Sequence, residues 1–444
     1  MNINNILSTI SILNKKRGIE IPNFFKKVKE VIIIASSSRG GSSLFLEILR
    51  QSPELIHFRA ENTPFLVLSG LTYPKNNLNS DALTEIHTKN TFKNNLYILE
   101  KEMCLDSGSI ESIFNNDFNR FSNDLLWRIV VQWPFVKFDL NLIQSLVLET
   151  LNESRQNYDS RNKEIDNLSL FHLILLKKIN HYYPEINPYY YDINPELVNL
   201  YFNIKSRFGP PSPFLIEEPP FISIYPRKPL TENMLKKFPL VIKTPSNAYR
   251  LNFFKNIFQN AKFRVLHLVR NPAAAINGLY DGWQYKNGFF SHKVLKTLNI
   301  IGYSELFSWG KYWWKFDLPP NWEEWTHQRL ENVCGFQWYS AHNSVLDFLD
   351  KNQVDYFRLK FEDVIGSIET KKKCINDLAI WLNIDPTPLI KYTCSDLPIT
   401  MATNTPVNYR WMKKFQIITN VLTIPEIKKT TQKIGYDFNI KKWI

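Results

Sequence analysis

The sequence predicts an α/β fold built on a mainly parallel sheet. Two observations carry the prediction: unbroken β-branched runs, and amphipathic helical patterns that follow them in alternation. The first run is Val31-Ile32-Ile33-Ile34-Ala35, continuous and apolar, as a strand covered on both faces must be. A loop of small residues follows, Ser36-Ser37-Ser38-Arg39-Gly40-Gly41-Ser42-Ser43. Leu44, Phe45, Ile48 and Leu49 then mark one face of a helix. A second such unit lies much later. Leu240-Val241-Ile242-Lys243 reads as a short strand, with a helix over about 247–259. Phe263 to Val269 is the next strand, and Arg270-Asn271-Pro272 turns it into a helix carrying Ile276, Leu279, Tyr280 and Trp283. Trp338, Ala341, Val345 and Phe348 mark another helix. It leads to a strand over Tyr356–Phe361 and a helix with Ile375, Leu378, Ala379 and Leu382.

Between these units the composition changes. Residues from about 66 to 235 are rich in Asn, Tyr, Phe and Pro, with helical patches at Leu125–Val131 and Leu168–Ile179. They predict a large, mostly helical insertion, 66–235, in an α/β core formed by 1–65 and 236–444. A second, aromatic-rich insertion is expected at roughly 284–330, around Trp313, Trp314, Trp322 and Trp325. No internal repeat or low-complexity tract is present.

Composition narrows the function. With 44% apolar and 22% charged residues among 444, the chain is an ordinary globular one; a collagen, a linker or a small disulfide scaffold is excluded. The net charge of +12 favours anionic ligands, but the basic residues are scattered in short groups such as Lys15-Lys16-Arg17. Nucleic acid is therefore not the expected partner, and a nucleotide or a sulfated or phosphorylated ligand is. The four Cys (104, 334, 374, 394) and eight His form no metal-ligand spacing and fit reduced thiols in a cytosol. The stretch Met1–Leu13 lacks the pattern of a signal peptide, and no run approaches the roughly 18 apolar residues of a membrane helix. A soluble protein without membrane insertion is expected.

A strand, a Gly/Ser loop and a helix together make a phosphate cradle: small residues let backbone N–H groups approach an anion, and the helix start adds partial positive charge. Ser38, Gly40, Gly41, Ser42 and Ser43 fill that role here, with Arg39 as an added cation. The glycines are not followed by the Lys of a Walker loop. An ordinary tight βα connection is the structural alternative.

Ser38 to Leu44 resembles the 5′-phosphosulfate loop of the sulfotransferase family, whose bacterial and carbohydrate-modifying members carry R-[SG]-G-[ST]-[ST]. Phe263 to Trp283, FRVLHLVRNPAAAINGLYDGW, is similar to the 3′-phosphate segment of that family. Lys243 to Leu251, KTPSNAYRL, matches a block of the same relatives, and Phe357 to Val364 with Ile380–Ile384 resembles their R-Y-E-D-L…F-L-G region. The four motifs stand in the expected order over about 120 residues.

The resemblance implies a P-loop-like central parallel sheet flanked by helices. It also implies transfer of a sulfuryl group from 3′-phosphoadenosine 5′-phosphosulfate (PAPS), without a metal, to a hydroxyl or amine of a small-molecule acceptor such as a specialised metabolite. PAPS is charged at both ends, so two anion sites are needed; the loop supplies one and Arg270 the other. Arg39 stands where relatives hold the 5′ phosphate and the bridging oxygen. Eight residues after Arg270 that family usually places Ser, and this chain has Gly278; Asn277 beside it, or a residue from elsewhere, is expected to replace the hydroxyl. Arg410, in Tyr409-Arg410-Trp411, resembles the late basic segment that closes over the nucleotide.

For the general base the resemblance points to Glu61, with His57 as the second candidate. Lys243 is expected beside the cradle strand, in reach of the transferring sulfate. Glu61 as a solvated residue ahead of a helix capped by Thr63, and Lys243 as a surface residue, are the plainer alternatives. Glu217 and Glu218 read first as a solvated loop, and otherwise as acceptor-pocket residues for a cationic acceptor. The aromatic residues Trp283, Trp313 and Trp314 read first as core and otherwise as a wall for acceptor or adenine. The rival functions are a P-loop kinase or nucleotide hydrolase, which would need ATP and Mg²⁺, and a non-catalytic polyanion-binding module. The lack of an anchor favours a cytoplasmic enzyme. The oligomeric state and the acceptor's charge are not written in the sequence.

Overall fold

The computed structural model of the chain describes residues 3–18, 20–58, 61–89, 96–107, 118–157, 167–202, 209–211, 215–403, 406–407 and 409–443. Nine strands occur among them: β1 (Glu30–Ala35), β2 (Ile56–His57), β3 (Leu105–Ser107), β4 (Arg227–Pro229), β5 (Leu240–Lys243), β6 (Lys262–Val269), β7 (His292–Lys293), β8 (Trp313–Trp314) and β9 (Asp355–Lys360). Five form the central sheet in the order β2-β5-β1-β6-β9, and every pairing is parallel. The other four make two small antiparallel pairs, β3 with β4 and β7 with β8. The α/β class with a parallel sheet flanked by helices is thus what the alternating pattern predicts.

Strand β1 occupies the middle of the sheet because it is apolar on both sides. Val31, Ile33 and Ala35 join one buried cluster, while Ile32 and Ile34 join another with Phe45, Leu266, Leu268 and Leu359. This two-sided burial is why the run shows no alternation. The register sets Ile34 beside Lys243 on β5 and beside Leu266 on β6. The C-terminal end of β1, with one neighbour on each side, is where an open α/β sheet presents its crevice.

Most predicted elements appear within a residue or two of their expected ends. The span 247–259 is instead broken, with a 3₁₀ turn over Pro245–Tyr249 and a helix only at Leu251–Ile257. Several elements carried no expectation, among them an edge strand and the N-terminal helix. The edge strand β2 is only two residues long, and Ile3–Arg17 is a helix that packs against Phe118–Gln132.

The span 66–235 carries the helices Leu96–Met103, Phe118–Gln132, Leu140–Asn157, Asn167–Tyr182, Pro195–Tyr201 and Glu232–Lys237, with β3 and β4 joined at its two ends. Its apolar residues share one buried cluster with the sheet, from Trp127 and Leu176 to Val31 and Phe253. Around 284–330, Trp283, Trp314 and Trp322 are fully buried in a second core, whereas Trp313 faces a cavity. None of the helices described is long and apolar enough to cross a membrane.

Candidate active site

The loop after β1 is shaped by steric limits at two glycines. Gly41 has φ 93°, and a Cβ there would stand 2.3 Å from the Phe361 ring; one on Gly40 would stand 2.9 Å from the Ser37 carbonyl oxygen. Only glycine fits Gly41, by conformation and by space. Arg39 itself lies in the left-handed region, φ 63°, a strained choice for a long side chain. The helix Ser42–Leu49 starts from Gly41 without a side-chain cap, so its first N–H groups remain for an anion.

This loop lines a cavity of about 1100 Å³ at the C-terminal edge of the sheet. Ser38, Arg39, Gly41, Ser42, Ser43, Glu61, Arg270, Asn277, Gly278 and Arg410 all line it, drawn from segments up to 372 residues apart (38 to 410). Gly40 and Lys243 stand just behind, and His57 does not line it.

The guanidinium of Arg39 donates from Nη1 to the Met401 carbonyl at 2.6 Å and lies 5.3 Å from the Phe289 ring centre, while its Nε has no partner. Burial lowers its pKa to about 10, helped by the nearby charges of Arg270 and Arg410. Arg270 donates to the Arg39 carbonyl at 3.1 Å and lies over Phe361; burial lowers its pKa too. Arg410 pairs with Asp281 at 2.7 Å. Three guanidiniums in mutual electrostatic reach disfavour one another's charge, a cost that an anion among them would offset.

The turn that holds Arg270 is fixed from two sides. Asn271 caps the helix Pro272–Gln284 by accepting from the Ala274 N–H at 2.9 Å. Its own backbone N–H and amide Nδ2 donate to Glu362 Oε1 at 2.9 and 2.7 Å, and Tyr436 donates to the same carboxylate. Further along that helix Asn277 donates to Asp281 at 3.2 Å and leaves its Oδ1 without a partner. Gly278 sits against Arg39: a Cβ there would be 3.1 Å from the Arg39 Cβ.

Beside the loop, Lys243 is buried (3% exposed) and its Nζ donates to Ser43 Oγ at 3.1 Å and to Glu61 Oε1 at 2.7 Å. The Glu61 side chain keeps about a third of its surface exposed (35%). The segment is pinned by Asn62, which bonds Thr244 and Asn247 from the 3₁₀ turn after β5. Glu61 is therefore held in the cavity wall by Lys243 while part of its side chain stays open to solvent. Lys243 itself is internal and not a surface residue. His57 is enclosed in β2, and burial together with Arg50 pushes its pKa down to about 3. So enclosed, His57 does not reach the cavity that Glu61 lines.

Several lining residues carry no sequence signal. Asp317 accepts from Ser38 Oγ at 2.5 Å and from Tyr249 at 2.8 Å, and burial pushes it up to about 6. Asp81 binds the fully buried Arg250 at 2.9 Å, His292 at 3.2 Å and the Leu318 N–H at 2.8 Å. The pair expected first in a solvated loop is not solvated: Glu217 is buried against Arg128, and Glu218 is half-buried in the cavity wall. No group of three or more metal-ligating side chains occurs among the described residues.

No family model matches the chain, and no curated protein does. Among solved structures the chain is similar to the sulfotransferase domain from the curacin biosynthetic pathway, at 11% identity and a TM-score of 0.37 over 93% of this chain and 99% of that one. It is similar to the sulfotransferase domain from the Synechococcus PCC 7002 olefin synthase, at 10% identity and 0.34 over 93% and 96%. It is also similar to the sulfotransferase STF9 from Mycobacterium avium, at 10% identity and 0.33 over 92% and 78%.

Proposed function

We propose that the chain is a PAPS-dependent sulfotransferase that sulfates a hydroxyl or amine of a small-molecule acceptor in the cytosol. The observation that carries the reading is the meeting, in one cavity, of an uncapped glycine-loop helix start, three guanidiniums (Arg39, Arg270, Arg410) and the Lys243–Glu61 pair. The orphaned groups fit such a donor. The free N–H groups after Gly41 and the unpartnered Arg39 Nε suit a phosphosulfate, Arg270 and Arg410 suit a second phosphate, and Asn277 Oδ1 suits a sugar hydroxyl.

The donor supplies a sulfuryl group on a phosphate leaving group, and the bond from acceptor oxygen to sulfur forms as the sulfur–oxygen bond to that phosphate breaks. Arg39 neutralises charge where the leaving group develops it. Glu61 takes the acceptor's proton, and Lys243, bound to both Ser43 and Glu61, keeps the base aligned with the loop.

The test is calorimetry, without added metal, with 3′-phosphoadenosine 5′-phosphate and separately with ATP. The former is expected to bind at micromolar concentration and to lose at least tenfold in Arg270→Ala. Binding of ATP alone, or of neither nucleotide, overturns the reading.

A further inference from the structure

The helix Pro272–Gln284 carries, beside Gly278, a side chain whose hydrogen bonds are only half used. Asn277 is buried (2% exposed) and lines the cavity. Its amide makes one bond: Nδ2 donates to Asp281 Oδ2 at 3.2 Å, one turn further along the helix. Its Oδ1 has no partner among the described residues. A buried oxygen left without a donor costs stability, so its persistence in a cavity wall points to a ligand group that serves it.

Asp281 decides which end of that amide faces the cavity. Its Oδ2 also receives Arg410 Nη2 at 2.7 Å, and its Oδ1 receives Lys414 Nζ at 2.6 Å. A carboxylate between two cations can only accept, so Asn277 turns its NH2 toward Asp281 and its oxygen away. With the NH2 committed, Asn277 offers the cavity an acceptor and no donor. Gly278 next to it offers neither, and the stem of Arg39 stands against that position. A phosphate oxygen, which needs donors, therefore gains nothing from these two side chains, whereas a hydroxyl does. A cation for a phosphate is close by, because Arg410 shares the Asp281 oxygen that Asn277 uses and also lines the cavity.

We propose that Asp281 makes Asn277 a reader of the ribose 2′-hydroxyl of the donor nucleotide, so that this chain separates ribonucleotides from 2′-deoxyribonucleotides. The inference rests on the PAPS reading and adds a specificity that the reading does not contain. The sugar of PAPS carries a phosphate at 3′ and the phosphosulfate at 5′. Its one free hydroxyl is at 2′, on the carbon next to the one that bears the 3′ phosphate. A phosphate on Arg410 brings that hydroxyl to the neighbouring Asn277, whose Oδ1 accepts its hydrogen bond. Asp281 does not line the cavity and is a positioning residue: it orients Asn277 and tethers Arg410. Recognition at this turn of the helix thus passes from the phosphate to the sugar. A site built to pair a hydroxyl rejects a ligand that lacks it, because the buried oxygen is then left unpaired.

The test is calorimetry on the full chain with 3′-phosphoadenosine 5′-phosphate and with its 2′-deoxy analogue. The ribonucleotide is expected to bind about tenfold more tightly. Asn277→Ala should bring this ratio to about one, by weakening the ribonucleotide and leaving the deoxy analogue nearly unchanged. Asp281→Asn should lower the ratio too, since an amide at 281 can donate to Asn277 and let its oxygen turn from the cavity. Any change common to both nucleotides, such as loss of the Arg410 tether, cancels in the ratio. Equal binding of the two nucleotides by the parent overturns the inference and leaves the PAPS reading in place, whereas failure of both to bind overturns the two together. A ratio that survives in Asn277→Ala also sinks the proposal. The inosine counterpart of the ribonucleotide controls for the adenine amine, the other hydrogen-bond donor of the ligand. If Asn277→Ala weakens the adenosine nucleotide but not the inosine one, the oxygen belongs to the base and the proposal falls. Should a variant fail to fold, the ratio in the parent chain decides.

Discussion

Gly278 ties a sequence departure to a local shape. Where the resembled family places a hydroxyl, this helix keeps no side chain, and the stem of Arg39 occupies the space, its Cβ 3.1 Å from where the Gly278 Cβ would be. A Cβ at that distance is tighter than ordinary packing, and Arg39 has little room to give because its guanidinium is tied to Met401 and its backbone carbonyl to Arg270. Restoring the family's residue by Gly278→Ser should therefore weaken the binding of 3′-phosphoadenosine 5′-phosphate about tenfold, roughly 1.4 kcal/mol. Gly278→Ala should do the same, since the fault lies in the Cβ and not in the hydroxyl. Tighter binding by the serine variant alone would mean that the hydroxyl reaches the ligand and that Arg39 moves aside freely.

At the scale of elements, the β6-to-helix turn shows how the cradle is held. Asn271 does two jobs there: its side-chain oxygen caps the helix, and its N–H groups reach Glu362 in the helix after β9. Asp caps a helix as well as Asn does, but it would set a second carboxylate against Glu362. Asn271→Asp is therefore expected to cost as much stability as Asn271→Ala, about 1–2 kcal/mol, with a matching loss of nucleotide affinity through Arg270. Urea unfolding of the two variants checks this, and an Asp variant as stable as the parent would remove the Glu362 contact from the account.

The same elements explain what the sequence makes legible. β1 is β-branched, β6 is largely apolar, and both are buried on both faces, so local composition specifies them, and the loop and turn that follow carry Gly, Ser, Asn and Pro for local reasons. β2 is legible only through its neighbour, because two residues have no period. Glu61 and Arg270 could be placed from motifs adjoining these strands. Asp317 could not: its partner Ser38 is 279 residues away, and no pattern in Phe316-Asp317-Leu318 announces the meeting. Glu217 misled for a related reason, since a Pro-rich turn reads as exposed until the fold buries Glu217 against Arg128 and ties Pro219 to Phe289.

For the whole molecule the buried carboxyls Asp81 and Asp317 have a consequence in stability. Asp81 is held below the usual carboxylate range by His292 and Arg250 against its burial, so its contribution is present above about pH 4 and lost in acid. Asp317 runs the other way. With its folded value raised to about 6 from an ordinary 3.8, the folded state binds the proton more tightly than the unfolded chain. Folding is thus relatively favoured while Asp317 is protonated and penalised as pH rises from about 4 to above 6, by about 3 kcal/mol when the change is complete. Asn at 317 can keep partners at Ser38 and Tyr249 but carries no charge. The stability of Asp317→Asn relative to the parent should therefore rise by about that amount between pH 4 and pH 7.5, read from urea unfolding at the two pH values. A difference that stays constant with pH would mean that Asp317 is ionised throughout and that some cation, or water, already serves it. A difference that grows as expected would show the fold sustaining an unneutralised carboxyl at neutral pH.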